Sequence, residues 1–310
     1  MFAGILWFFN IDWNLLFEAK NPVFLLFGLI AYLLAIAVLA FRAHFFFKQL
    51  KEKSVSLKAL LKIEFASKFF YYALPGRLNV PFKAIILNKV CGVKKGNAIS
   101  ITTLEYVLDV GFMLLLGLIG LSLFFQELFD SISILKIVIS MVALGALILV
   151  FFLISTNRFK QLLAKSKKLR NNFLRKSFVF VSKLLFKIRD TWPKILLNKR
   201  TIPVLFLLLL NWFFSALSTE FVFLAYGQYV PFLWVLTISA VSLLIGGLSQ
   251  IPGGVGAKEV TLVVLFIFLG VPQEIVLTTA LITRLFTLAP MAIGYTFLIQ
   301  FEKHFKVKLF

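Results

Sequence analysis

Between Pro252 and Glu259 the chain reads Pro-Gly-Gly-Val-Gly-Ala-Lys-Glu, inside nearly a hundred residues that are otherwise lipid-soluble. Glycine at 253, 254 and 256 adopts dihedrals other residues resist and lets backbone approach a ligand closely. Pro252 ends the helical arm that precedes it. The residues after it open the next arm, so unpaired amides and the positive end of a helix dipole converge on one spot, which favours an anion. Lys258 adds a full positive charge, and Glu259 can cap the helix start or pair with a cation. A second break, Leu-Pro-Gly-Arg at 74–77, offers Arg77, whose planar fork suits phosphate, beside Asn79 as a neutral hydrogen-bonding partner. Neither stretch has the glycine spacing or the strand-loop-helix setting of a nucleotide-binding loop.

Four further ionisable residues fall within apolar stretches, where charge is costly and marks function or pairing. Glu105 and Asp109 lie one turn apart on one helix face, Arg284 lies in a later helix, and Glu220 sits deep in another. Pairing of Glu105 or Asp109 with Arg284 and direct substrate contact are both open readings. Catalytic and metal chemistry find little support. His44 and His304 are far apart in basic flanks, and no Cys cluster or Glu-x-x-His pair accompanies them. No Ser/His/Asp grouping is present, and the single cysteine, Cys91, allows no intrachain disulfide. The expectation is a chain with no catalytic residues, no metal, no cofactor and no nucleic-acid partner.

These residues must be positioned by membrane helices. Hydrophobic residues make up 61% of the 310, with 38 phenylalanines, beyond what a soluble domain carries. The apolar runs are too continuous for a membrane β-barrel, and backbone amides in hydrocarbon must be satisfied within each segment. The fold class is therefore an all-α integral membrane protein, a polytopic helical bundle forming one domain over 1–310. Five runs are long enough to span a bilayer: Pro22–Phe41, Ala98–Phe125, Ile132–Ile154, Ile202–Ala225 and Ile275–Ile299. Two other segments, Ala59–Val93 and Phe232–Val271, are broken near their middles by Pro75-Gly76 and Pro252-Gly253. Residues 2–9 are too short to span, and with Trp7 and Trp13 they read as an interfacial helix.

Charge orients the chain. Asn157–Arg200 holds fourteen Lys or Arg against Asp190, and Arg42–Lys62 holds six against Glu52, so both lie in the cytoplasm by the positive-inside rule. The opposite ends are nearly bare of basic residues. The basic loop 157–200 reads equally as a solvated linker or, over Phe173–Ile188, as a helix on anionic head groups. Lysines at both ends of the first broken segment make it enter and leave on one side, as a re-entrant hairpin tipped by Pro75-Gly76. The second opens and closes on the other face, as a deep hairpin or two short spans.

Spacing suggests an internal repeat. From Pro22 the first tip is 53 residues on and Glu105 is 83; from Ile202 the second tip is 50 on and Arg284 is 82. Units of about 22–125 and 202–299, starting on opposite sides and joined by the connecting span 132–154 and the loop 157–200, make an inverted-topology repeat, the architecture of many secondary transporters.

With these residues the chain resembles the flippase-like transmembrane region of lysylphosphatidylglycerol synthases and the stand-alone membrane proteins that share it. The resemblance rests on Leu-Pro-Gly-Arg at 74–77, Glu105 with Asp109, and Ile-Pro-Gly-Gly-Val-Gly-Ala-Lys-Glu at 251–259, and it covers essentially the whole chain. Asn79 and Val80 stand where the family often has Gly-Glu, and the chain is expected to begin partway through the family's first span. The resemblance implies movement of an anionic or aminoacylated phospholipid, or another lipid-linked head group, between leaflets. The partners it implies are membrane lipids. The aminoacyl-transfer domain of the synthases has no counterpart here, so no enzyme activity is expected. In this reading Arg77, Asn79, Gly253, Gly254, Gly256, Lys258 and Glu259 hold the head group in a multi-pass protein of the cytoplasmic membrane, C-terminus inside. Two alternatives stay open: a small-anion transporter, and a membrane enzyme or subunit acting on lipid-linked sugars with Glu105, Asp109 or Glu259 as general base. The lipid, the energy source and the oligomeric state, homodimer included, are open.

Overall fold

The computed structural model describes residues 18–50, 55–75, 78–124, 191–193, 195 and 201–305. Among them every regular element is helical: α1 (Val23–Gln49), α2 (Leu57–Ala73), α3 (Asn79–Cys91), α4 (Lys95–Phe124), α5 (Thr201–Ala225), α6 (Phe232–Leu248), a 3-10 turn (Pro252–Gly254), α7 (Ala257–Phe268) and α8 (Gln273–Phe305). Four of these, α1, α4, α5 and α8, are long and apolar enough to cross a membrane. They coincide with four of the five spans expected from sequence. The fifth, 132–154, lies outside the described residues, as do the N-terminal segment 1–17 and most of the basic loop.

Local chemistry sets the helix ends. Ser56 caps α2, its hydroxyl accepting from the Ala59 amide at 3.2 Å. α2 stops at Ala73 because Leu74 precedes a proline and is driven to extended backbone, φ −116° and ψ 144°. α3 ends at Gly92, which takes the left-handed conformation at φ 66°. In α1 the helix outruns the apolar run: the expected span closes at Phe41, yet the helix continues to Gln49, because Arg42 is buried against a partner instead of entering solvent. Arg42 therefore does not belong with the solvated charges of the loop that follows.

α1 and α5 lie side by side and run antiparallel. The Asn21 amide donates to the Ala225 carbonyl at 3.0 Å, Phe24 stacks on Phe221, and Gly28 abuts the Ser218 carbonyl. α2 and α8 are antiparallel too, through Phe65 with Phe297 and Phe69 with Tyr295. Where they cross, a Cβ on Gly294 would run into the backbone of Phe65, so the two helices approach at the distance that small residues permit. α6 packs on α4, and each broken segment packs its arms on one another and its second arm on the helix that follows. The 3-10 turn rests on α2. Just before α5, Ile195 is fully buried and the Trp192 indole donates to the Ser100 carbonyl at 3.1 Å, so the end of the basic loop is tucked against α4.

The bundle is inside-out by soluble standards. Leu26, Ile30 and Leu34 of α1 and Phe206, Leu209 and Phe213 of α5 are exposed, while Arg42, Glu64, Lys83, Glu105, Glu259 and Arg284 are buried.

Candidate functional site

All four helices of the first half send a charged side chain to one place. Arg42 of α1 donates from Nη1 and Nη2 to the two carboxylate oxygens of Asp109 on α4, at 2.6 and 2.8 Å, a bidentate pair. Lys83 of α3 donates from Nζ to Glu64 Oε1 of α2 at 2.5 Å and to Glu105 Oε2 of α4 at 2.7 Å. Glu105 and Asp109, four residues apart, share a helix face, as their spacing requires. Arg42 is 2% exposed, Glu64 3% and Glu105 4%.

The second half holds its own pair. Glu259, in the first turn of α7, accepts the Gly256 amide on Oε2 at 2.8 Å, and its Oε1 lies 3.2 Å from Arg284 Nη2 on α8. Arg284 Nη1 donates to the Gly253 carbonyl at 3.2 Å, tying α8 to the broken turn. Its guanidinium also lies 5.8 Å from the centre of the Tyr72 ring, and Tyr72 hydrogen-bonds Tyr32 at 2.8 Å.

The pairing of Glu105 or Asp109 with Arg284, one of the two readings open from sequence, is not the arrangement found. Each carboxylate finds a cation within its own half, because the second arm of each broken segment docks on the following helix and brings a complementary charge with it: Lys83 to Glu105, Glu259 to Arg284. The signs are reversed between halves. The helix start that sequence offers to an external anion is also partly engaged, since the Gly256 amide already serves Glu259. Gly253 and Gly254 are spent on packing. At φ 59° and 65° they suit few other residues, and a Cβ would stand 2.6 Å from Tyr72 Cδ1 at 253 and 2.9 Å from the Gly246 Cα at 254.

Between the halves lies a chamber of about 200 Å³. The five charges of the cluster line it, together with Lys258, Lys68, Asn79, Tyr32 and Tyr72. Lys258 has no salt bridge among the described residues, its neighbour Glu259 being given to Arg284. Four lining residues also hold a buried atom without a hydrogen-bond partner: Asn79 Oδ1, Glu105 Oε1, Arg42 Nε and Trp212 Nε1. Buried polar atoms are seldom left so, and here they belong to residues that line the chamber. Tyr71 and Leu74, at the end of α2, lie against Gly253 and Gly254 around a smaller crevice, so the end of the first arm meets the second turn.

Of the other sequence candidates, Gly76 and Arg77 lie outside the described residues. Pro75 is the break after α2 and Pro252 opens the 3-10 turn. Glu220 is buried in α5 with Oε2 unpartnered and stands apart from the chamber lining. Among the described residues no group of three His, Cys, Asp or Glu is placed to hold a metal ion. Cys91 closes α3 as a free, half-buried cysteine, which suits packing. Sequence reasoning missed Arg42, Glu64, Lys83 and the Tyr32–Tyr72 pair as site residues. Lys83 was legible as a charge on a hairpin arm, but Arg42 and Glu64 read as ordinary flank residues.

The family model described as the lysylphosphatidylglycerol synthase TM region matches residues 1–294. A UPF0104 membrane protein of Methanocaldococcus jannaschii is 24% identical over 286 residues, 89% of this chain and 84% of that protein. One of Pyrococcus horikoshii is 25% identical over 297 residues, 91% of this chain and 88% of the relative. A third, of Methanothermobacter thermautotrophicus, is 37% identical over 89 residues, 28% of this chain and 27% of its own length. No solved structure matches.

Proposed function

Since the chain belongs to the lysylphosphatidylglycerol synthase transmembrane-region family and is a multi-pass membrane protein, we propose that it moves a lipid head group across the bilayer without chemistry on it. The head group is that of an anionic or aminoacylated phospholipid or another lipid-linked anion. The observation that carries this reading is the chamber: a polar space walled by both broken segments, inside a bundle whose outer faces are apolar. A head group entering it trades water for the Lys258 ammonium, the Asn79 amide and the lining tyrosines, while acyl chains stay against exposed leucine and phenylalanine outside.

Packing supports an inverted repeat as the framework. α1 and α5, the first helices of the two units, are antiparallel neighbours. Exchanging the units maps the packing of α2 on α8 onto that of α6 on α4, and that of α3 on α4 onto that of α7 on α8. In this account α2–α3 and α6–α7 are re-entrant hairpins from opposite faces, the loop 157–200 and the C-terminus lie in the cytoplasm, and rocking of one unit on the other opens the chamber to each leaflet in turn.

A second reading, chemistry on a lipid-linked sugar, draws on two carboxylates, Glu64 and Glu105, lining one cavity. Lys83 bridges them, which leaves neither poised as a free general base. The test is leaflet exchange of labelled phosphatidylglycerol in liposomes. The wild type exchanges label; Lys258→Ala and Arg77→Ala slow it about tenfold or more, the loss of roughly one charge-assisted contact. Exchange unchanged in both variants overturns the site, and a wild type that exchanges no anionic lipid overturns the function.

A further inference from the structure

Seven charged side chains among the described residues line the chamber, and their signs do not balance. Arg42, Lys83, Lys68 and Lys258 stand against Glu64, Glu105 and Asp109, four cations against three carboxylates. The carboxylates are all engaged within the first half. Asp109 gives both oxygens to Arg42, and Glu64 and Glu105 share the Lys83 ammonium. The acid beside Lys258 in sequence, Glu259, is turned to Arg284 and the Gly256 amide. Even with the one negative charge left on the Glu64–Lys83–Glu105 trio, Lys68 and Lys258 give the chamber one positive charge in excess.

Exposure sharpens the imbalance. Glu64 and Glu105 are 3% and 4% exposed, so they offer a ligand almost no carboxylate surface. Lys68 and Lys258 are only half-buried. Lys68 comes from α2 of the first half, its ammonium 6.0 Å from the centre of the Tyr71 ring. Lys258 comes from α7 of the second half, on backbone pressed against α6, where a Cβ on Gly246 would stand 3.0 Å from the Lys258 Cβ. The two lysines lie near enough for their like charges to act on each other, which an anion between them would relieve.

We infer that the chamber selects a lipid-linked phosphate monoanion bearing no ammonium, with Lys68 and Lys258 as the residues that set this preference. Resting on the head-group reading above, this narrows the substrate to a phosphodiester such as the phosphatidylglycerol head group and rejects the aminoacylated form. The single negative charge of the phosphodiester cancels the excess. An aminoacyl ester adds ammonium to a space already positive, where no described carboxylate stands open to receive it, and like charges brought together disfavour binding. The selected anion also joins the halves, since it meets one lysine from each.

The test is competitive binding of radiolabelled dihexanoyl phosphatidylglycerol to the full chain in phosphatidylcholine nanodiscs. Unlabelled phosphatidylglycerol of the same chain length displaces the label from the wild type at a concentration about tenfold below that required of its lysyl ester, the worth of roughly one charge-assisted contact. Lys258→Gln and Lys68→Gln each weaken binding about tenfold and narrow the preference, while Lys258→Arg retains it. Lys258→Gln strands no carboxylate, so its loss of binding is not a loss of fold. Lys62→Gln, on α2 but outside the chamber lining, changes neither quantity. Absence of saturable binding to the wild type, displacement by the lysyl ester at equal or lower concentration, or a preference that survives both glutamine variants overturns the assignment. Inorganic phosphate, lacking acyl chains, displaces the label only weakly. If it displaces the label as well as the lipid does, with the lysine dependence intact, the anion site stands and the head-group reading falls. A wild type that binds with the stated preference yet exchanges no labelled phosphatidylglycerol between leaflets likewise overturns the transport reading and supports the site.

Discussion

At the residue scale the interior is governed by pairing. Arg42 and Asp109 are each other's answer to burial, and removing one strands the other. Asp109→Asn is expected to cost about 3–5 kcal/mol, read as a fall in thermal unfolding midpoint in detergent. Arg42→Met combined with Asp109→Leu should recover most of the loss, because a matched apolar pair of similar volume carries no desolvation penalty. If the double variant is no better than Asp109→Asn alone, the pair is not the source of that cost. Glu105 and Asp109 were legible as charges inside the bundle from their depth in an apolar run. Their partners were not, since a lysine on a hairpin arm or an arginine after Phe41 looks like an interfacial charge until the helix is seen to continue to Gln49. Pairing also obeys proximity more than symmetry. Arg284 was the matching residue by spacing, yet Glu259 on the adjoining arm is near enough to hold it.

At the element scale the two broken helices were the most readable feature, because proline and glycine act on backbone directly. Pro75 ends α2 by constraining Leu74, and Gly92 ends α3 by accepting a positive φ. Close packing of intact helices leaves a fainter trace. Nothing in the run around Gly294 announces that α8 crosses the backbone of α2 there, since small residues are frequent in any membrane helix. The two glycines should therefore respond differently. Gly92→Ala meets no atom within 4 Å and should cost about 1–2 kcal/mol for its left-handed backbone alone. Gly294→Val must push two helices apart and should cost about 3 kcal/mol through overpacking. Thermal unfolding of the two variants decides, and an equal loss at both positions would show that the α2–α8 crossing is not tight.

At the scale of the whole molecule, each half is latched internally by ion pairs, Arg42–Asp109 and Lys83 with Glu64 and Glu105 in the first and Glu259–Arg284 in the second, and among the described residues no salt bridge joins the halves, which meet through apolar contacts, Tyr72, the broken turn and the Lys62–Gln300 hydrogen bond. That division suits units that move against each other, because rocking need not break a buried salt bridge. The glycine-rich stretch 252–259 takes a different place from the one its sequence suggests. Its glycines shape the turn and its glutamate holds the α7 start and Arg284, so Lys258 is left to face the chamber. The most direct measurement is an experimental structure of the protein in nanodiscs containing phosphatidylglycerol. A head-group phosphate in the chamber beside Lys258 and Asn79, with acyl chains leaving between helices toward lipid, is the predicted result. Anionic lipid confined to the outer apolar belt, with the chamber holding only water, would contradict the account.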